Sequence, residues 1–442
     1  MKVTIGTTDI DQAWSDTPVL SGLSIDWGTD DPGTQPDPAV CSFTIHDPTG
    51  RIAGDFVSLA GQRFTVGIDD QLLFDGIISA GGTIRRTGTG WLIDLTATSR
   101  MVLWSRLQDN GPSDGSGLHW TGTPADRLTE MQRRAEKAIA PRAETRGLTL
   151  PASVAPYDAN SHPSQLDLLH RLYAHLPELP LWGEHMDGGV VTIGHADIAR
   201  AHGITLDRYA NPLMIVDGAT RYPVQASDLT TDDDLSLSIA QPLTGITINA
   251  KNSSTDDQGK PSFDDATIQY SARGLPEALT ATIKTMSLDS DAIVSSTIPS
   301  YPAVTISQEQ RDTAARWLTT MDTCCTPETV TFDSDRFPLT GNNWMFKAQP
   351  SGPFLVVGSD LDQLTHPDGT PTATGPWQTI GGTITIDTRK RKPHITHQAT
   401  IIPVPQPTPG DITWDRLTGW PAAWGLVTLS WSQFATIEGV ET

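Results

Sequence analysis

The strongest constraint on what this chain can fold into is an alternation of apolar and polar side chains with period two in its first hundred residues. Cys41, Phe43 and Ile45 alternate with Ser42 and Thr44. Phe64, Val66 and Ile68 alternate with Thr65 and Gly67, and Trp91, Ile93, Leu95 and Ala97 alternate with Leu92, Asp94 and Thr96. Successive side chains of a strand point to opposite faces, so this pattern predicts antiparallel strands buried on one side. Turn-forming runs separate them: Thr29-Asp30-Asp31-Pro32-Gly33, Asp47-Pro48-Thr49-Gly50, Gly81-Gly82 and Thr87-Gly88-Thr89-Gly90. Strands at this spacing describe a small sandwich or barrel.

The pattern changes over residues 106–216. A Gly/Ser/Asp loop leads to Thr123-Pro124-Ala125-Asp126, which reads as an N-cap, a proline at the first helical position and an acid in the first turn. Leu128, Met131 and Ala135 follow at helical spacing. A second helix is predicted near Gln165–Leu176, with Leu166, Leu169, Leu172, Tyr173 and Leu176 on one face and Pro177 and Pro180 ending it. A short strand at Val190–Ile193 and the apolar Leu213–Val216 complete a small α+β module.

From about residue 217 the β pattern returns, with expected strands at Leu243–Ala250, Ala278–Thr285, Thr329–Phe332, Phe354–Val357, Thr383–Asp387 and His394–Ile401. One helix interrupts them. Ser307-Gln308-Glu309-Gln310 is a capping box, followed by Ala314, Ala315, Trp317 and Leu318. The last two strands flank Arg389-Lys390-Arg391-Lys392, a basic hairpin tip. Residues 403–410 form a proline linker, and residues 411–442 a tail with Trp414, Trp420, Trp424 and Trp431. The predicted organisation is a β-barrel over 1–105, an inserted α+β domain over 106–216, a second β-barrel with associated α+β elements over 217–402, then linker and tail.

Composition narrows the classes. With 37% hydrophobic residues and 38 glycines the chain sits in the globular range, and 442 residues exceed a single core. No run of about 18 apolar residues is present, so no membrane-spanning helix is expected. The N-terminus lacks an apolar segment, so no secretory signal is expected. Cys41, Cys324 and Cys325 are too few for a disulfide framework and suit a reducing cytoplasm as the place of synthesis. A net charge of −22 opposes wrapping of nucleic acid, which needs basic stripes, but not its passage.

The search for chemistry leaves little. Gly111-Pro112-Ser113-Asp114-Gly115 matches G-x-S-x-G with His119 nearby, but it sits in a loop after an antiparallel module and not at a strand-to-helix turn. His170, His175, Glu184 and His185 could supply metal ligands, yet no helical ligand pair is formed by their spacing. Asp232-Asp233-Asp234, Asp256-Asp257 and Asp264-Asp265 lack the alternate acids of a calcium loop and read as solvated acidic loops. No catalytic residue, cofactor or metal is therefore assigned. The Arg389–Lys392 tip reads as a solubilising hairpin end or as a contact for an acidic neighbour. The tail tryptophans read as an anchor against protein or as a sugar-stacking platform.

Trp27, the acidic turn with Gln35-Pro36-Asp37-Pro38, Asp47-Pro48-Thr49-Gly50-Arg51, Gly61-Gln62-Arg63-Phe64-Thr65-Val66 and Leu73-Phe74-Asp75-Gly76-Ile77-Ile78 occur in an order that resembles the N-terminal barrel of phage tail hub proteins. These are minor tail proteins of long-tailed actinobacteriophages, similar in fold to the baseplate central hub of contractile phages. The motifs cover about residues 20–105, and the resemblance extends by architecture through about 402. It implies a mainly β fold of two tail-hub-type β-barrels plus a small α+β domain. It also implies a structural, non-enzymatic virion protein at the tail tip, a homotrimer that joins the tail tube or distal tail protein to other tail-tip and receptor-binding proteins. Such a hub encloses a channel or gate for the tape-measure protein and for DNA as passing cargo, and serves host attachment and genome ejection. A negative lumen would repel the phosphate backbone. Alternatives are a hexameric distal tail protein, a host-surface carbohydrate-binding tail adhesin using Trp414–Trp431, and a cell-wall hydrolase using Ser113 and His119.

Overall fold

The alternating stretches of the first hundred residues form strands, each with its apolar residues on one face. The structure, a computed structural model, describes residues 1–10, 19–30, 37–68, 71–108, 123–138, 140–146, 150–157, 163–176, 180–185, 190–195, 214–217, 220–223, 229, 237–239, 243–271, 284–308, 310–312, 314–315, 318, 325–327, 330–336, 354–356, 377–388 and 393–403. The N-terminal strands are β1 (Lys2–Ile5), β2 (Thr8–Ile10), β3 (Val19–Gly28), β4 (Val40–Asp47), β5 (Arg63–Ile68), β6 (Gln71–Ile78), β7 (Thr83–Thr87) and β8 (Gly90–Ser99). They pair antiparallel. Ile25 lies opposite Cys41, and Cys41 opposite Ala97, all three fully buried. One edge of β8 is shared, with β7 along Gly90–Asp94 and β6 along Ala97–Ser99. That division bends the sheet. β4 and β5 stand three strands apart in the pairing order, yet Phe43 and Phe64 stack with ring centroids 4.0 Å apart. The sheet has curled so that its two ends share one core.

The following segment holds α1 (Val102–Arg106), α2 (Pro124–Lys137), β9 (Arg142–Arg146), α3 (Gln165–Tyr173), β10 (Pro180–His185) and β11 (Val190–His195). Both expected helices start where the capping residues place them. Thr123 and Asp126 cap α2, and Ser164 and Asp167 cap α3, each pair exchanging side-chain and backbone hydrogen bonds. The α3 helix ends at Tyr173, earlier than the apolar spacing predicts, although Leu176 beyond it is still buried. Leu166, Leu168, Leu169, Leu172 and Tyr173 pack with Trp104 and Met131 in a core of their own.

Next come β12 (Met214–Asp217), β13 (Thr220–Pro223), β14 (Leu237–Ile239), β15 (Leu243–Thr255), β16 (Pro261–Ser271), β17 (Lys284–Ser296), β18 (Cys325–Pro327), β19 (Val330–Asp333), β20 (Phe354–Val356), β21 (Trp377–Asp387) and β22 (His394–Pro403). The first part of the strand expected at 278–285 lies outside the described residues. Ser307 and Gln310 form the predicted capping box, and the described residues of 308–318 are helical. The α+β segment is pinned to β17 by buried Arg127, whose guanidinium donates to Asp291 Oδ2 at 2.5 Å and to the Ala155 carbonyl at 2.9 Å while lying over the Tyr157 ring.

β21 does not stay with its sequence neighbours. It pairs with β22 along one edge, and along the other first with β20 and then, from Gly381 to Ile386, with β3. Strands from residues 1–105 and from 217–402 thus share one 14-stranded sheet. Ile384, Ile386, Ile395, Val330 and Phe332 join the core of Phe43, Phe64 and Phe74. Trp27 Nε1 donates to His397 Nε2 at 3.1 Å across this junction, with both residues buried. The protein is mainly β, with the curled sheet as its largest element.

Gly28 and Gly381 permit the crossing of β3 and β21, and Gly382 permits the close approach of β22 on the other edge of β21. Gly28 has φ +77°, and a Cβ there would lie 2.1 Å from the Ile380 carbonyl oxygen. A Cβ at Gly382 (φ +140°) would lie 2.1 Å from the Gln398 oxygen, and one at Gly381 2.6 Å from the Thr29 oxygen. All of these neighbours are backbone and cannot rotate aside.

The turn after β4 rests on Asp47. Its buried carboxylate accepts from the backbone N–H groups of Gly50, Ile52 and Ala53 at 2.9, 2.7 and 2.9 Å and from the Thr49 hydroxyl at 3.2 Å. Burial pushes this carboxyl's pKa up, but the donors from Ala53, Ile52, Thr49 and Gly50 outweigh it and leave the pKa below its ordinary value.

Two outcomes are expected. Gly381→Ala should cost roughly 1–3 kcal/mol through overpacking, read as a lower urea midpoint, whereas Gly88→Ala, which faces open space, should change it by less than about 0.5 kcal/mol. Equal midpoints for the two variants would contradict the close approach. Asp47→Asn should cost about 1–3 kcal/mol at neutral pH because three buried donors lose their anionic acceptor. Since the folded pKa is lowered, the wild-type advantage is fully present above about pH 4 and fades as pH falls through the folded value. Unfolding curves of both proteins at several pH values read this directly.

Candidate functional site

The surface that stands out is the outer face of the curled sheet. Cross-strand partners in antiparallel pairs share a face. One row therefore runs Asp333 (β19), Thr396 (β22), Thr385 (β21), Ser24 (β3), Ser42 (β4), Thr96 (β8). A second row runs Gln398, Thr383, Asp26, Val40, Thr98. A third joins Ser21, Thr44, Asp94 and Thr83. The residues between them in sequence, such as Ile25, Cys41, Ala97, Ile384 and Ile395, point into the core.

A polar outer face is ordinary for an antiparallel sheet. Its chemistry here is narrower than that. None of the six strands β19, β22, β21, β3, β4 and β8 contains a lysine or arginine. Threonines hold the face's carboxylates in place: Thr44 Oγ1 donates to Asp94 Oδ1 at 2.7 Å, and Thr383 Oγ1 to Asp26 Oδ1 at 2.6 Å. Short hydroxyl side chains and anchored carboxylates make an anionic surface across these six strands, with the exposed Arg85 of β7, in register with Leu92, standing at its margin.

The residues singled out from the sequence fall elsewhere. Ser113 and His119, Asp232–Asp234, Arg389–Lys392 and Trp414–Trp431 lie outside the described residues. Asp256 shapes the β15–β16 turn by accepting from the N–H groups of Gln258 and Lys260 at 2.9 and 2.7 Å. Asp265 pairs across the strands with Lys251 at 2.5 Å, which lowers its carboxyl pKa. Cys41 is a buried free thiol whose pKa is raised, chiefly by burial.

His170 lies on α3, His175 just beyond it and Glu184 on β10, and among the described residues they do not gather their donor atoms at one point. Burial lowers the pKa of His170 and of His175 to about 4, which keeps both imidazoles neutral. Glu184 Oε1 accepts the Met101 N–H at 3.1 Å at the start of α1, and the Ser99 hydroxyl lies beside the same carboxyl. Burial raises the Glu184 pKa to about 7.

The donor group that does come together was not visible in the sequence. His394 Nε2 lies 2.9 Å from Asp333 Oδ1 and 3.5 Å from Asp335 Oδ2. The pairing of β19 with β22 unites residues 61 apart, which leaves no local motif to read.

Glu184 generates a pH prediction of opposite sign to that of Asp47. Its folded pKa of about 7 exceeds the unfolded value of about 4.3, so the folded state holds a proton that the unfolded chain releases. Its contribution is fully present below about pH 4 and is lost as pH rises through about 7. Glu184→Gln keeps a neutral group, so its stability relative to wild type should climb over that window and level off above it. Thermal melts of both proteins from pH 4 to 9 check this, and a constant difference would refute the shift.

No protein-family model matches the chain, and no curated protein matches it. Among solved structures it is similar to the 43 kDa tail protein of prophage MuSo2 from Shewanella oneidensis, with TM-score 0.47 and 10% identity, covering 90% of this chain and 97% of that one. It is also similar to a tail protein from Neisseria meningitidis MC58, with TM-score 0.46 and 12% identity over 90% and 95% of the two chains. Prophage tail protein gp18 from Listeria monocytogenes EGD-e follows, with TM-score 0.43 and 11% identity over 90% and 94%.

Proposed function

We propose that the chain is a structural, non-enzymatic protein of a phage tail, a hub at the tail tip whose curled sheet lines the channel for the tape-measure protein and DNA. The observation that carries this reading is the six-strand outer face free of lysine and arginine. In a narrow passage a basic side chain would bind phosphates and release their counterions, and so would hold DNA back. Hydroxyls and anchored carboxylates do the opposite. The sequence resemblance over residues 20–105 supports the same reading, and a homotrimer seated on the distal tail ring is the assembly it implies.

The test has two stages. Immunogold electron microscopy of virions with antibody against this chain should place gold at the distal tail end, and three copies should be resolved by symmetry analysis of the tip. Gold absent from intact and disrupted particles would refute the tail assignment, and sixfold symmetry would replace the hub with a ring protein. The channel reading is tested separately with Ser42→Arg and Thr385→Arg, both on the outer face. Virions should incorporate the variant normally but release DNA more slowly, most clearly at low salt. Unchanged ejection kinetics would place this face away from the DNA path.

A further inference from the structure

We propose that Asp333, Asp335 and His394 form a binding site for a first-row divalent cation of the zinc class. The three side chains come from the end of β19, the turn after it and the first residue of β22, and one donor atom from each lies within 4.8 Å of the others. Two ligand atoms each about 2.1 Å from a metal are separated by about 3.0 Å at a right angle and about 3.4 Å at the tetrahedral angle. The observed separations from His394 Nε2 are 2.9 Å to Asp333 and 3.5 Å to Asp335. Both separations from the imidazole are thus those found between a metal's own ligands.

The chemistry of the set names the ion. Two carboxylates balance a 2+ charge, and the neutral imidazole contributes a nitrogen with its remaining proton on Nδ1. Imidazole suits zinc, copper, nickel and iron, whereas magnesium and calcium favour all-oxygen sets. Water completes the coordination, because the Asp335 side chain is 70% exposed and the site opens to solvent. The backbone holds the donors in register. Asp333 stands opposite Thr396, Ser334 N donates to the Ile395 carbonyl at 2.9 Å, and Ile395 N donates to Ser334 Oγ at 2.8 Å. A bound cation would tie the β19 turn to the start of β22 at the edge of the polar face. This inference stands independently of the tail reading.

The experiment is isothermal titration of the chelator-treated full chain with Zn²⁺, repeated with Co²⁺ to read coordination from its visible absorption. Wild type should take up one equivalent with a Co²⁺ spectrum of a mixed nitrogen–oxygen site. His394→Gln and the exposed-turn variant Asp335→Asn should each weaken that uptake at least tenfold. His46→Gln, at a half-buried histidine of β4 that is hydrogen-bonded to Thr89, serves as the control for nonspecific histidine binding and should leave it unchanged. Asp335→Asn keeps the test open if His394→Gln fails to fold. Failure of wild type to bind, or equal binding by Asp335→Asn, would overturn the site.

Discussion

The architecture depends on a backbone contact between residues about 350 positions apart in the chain. Gly381 of β21 passes against Gly28 and Thr29, and Gly382 against Gln398 of β22, at distances that no Cβ could share. Because β21 can press this close, it leaves β20 and extends the N-terminal sheet, bringing β22 and β19 with it. Without that step Ile25 and Leu23 would lose Ile384 and Ile386 from their side of the core, and Trp27 would lose its acceptor on His397. The polar face would end at β3. Three residues without side chains therefore govern the burial of many residues with large ones.

Two kinds of polar group sustain the remainder. Asp47 and Arg127 are each buried and hydrogen-bonded, one gathering the donors of a turn and the other tying α2 to β17 through both terminal nitrogens of its guanidinium. Removing one partner of such a buried set is costly because the other is left desolvated and unmatched. The outer-face threonines act differently, since their hydroxyls cost little to leave in water. Their contribution is to hold Asp26 and Asp94 in fixed places, so that negative charge on the face is patterned rather than mobile.

What could be read from the sequence was local. Cys41, Phe43 and Ile45 disclose a strand because burial and exposure alternate in it, and Thr123 and Ser164 disclose helix starts because capping acts over three residues. The strand β9, Arg-Ala-Glu-Thr-Arg, gave no such sign, since its residues carry little hydrophobic alternation. The junction of β3 with β21 is equally silent: no local motif marks Gly381-Gly382, and only the partner strands show it to be a crossing. The same holds for Asp333 and His394, whose proximity is a property of strand register. The polar face was legible only in part, because the alternation assigns Ser42 and Thr44 to one side of β4, and Asp94 and Thr96 to one side of β8, while β3 and the order of the strands carried no such sign.

The distance along the chain between β3 and β21 has a kinetic consequence. Synthesis at about 5–20 residues per second leaves β3 without its second neighbour for on the order of tens of seconds after it emerges. An unpaired strand edge of this length is a template for association with other nascent chains. β3 carries its own protection for that interval. Its pairing with β4 is broken by a register shift between Ser21 and Ser24, Gly22 adopts φ +61°, and Asp26 places a charge on the waiting edge. The irregularity that looks like a flaw in the finished sheet is thus suited to the time before the sheet is finished.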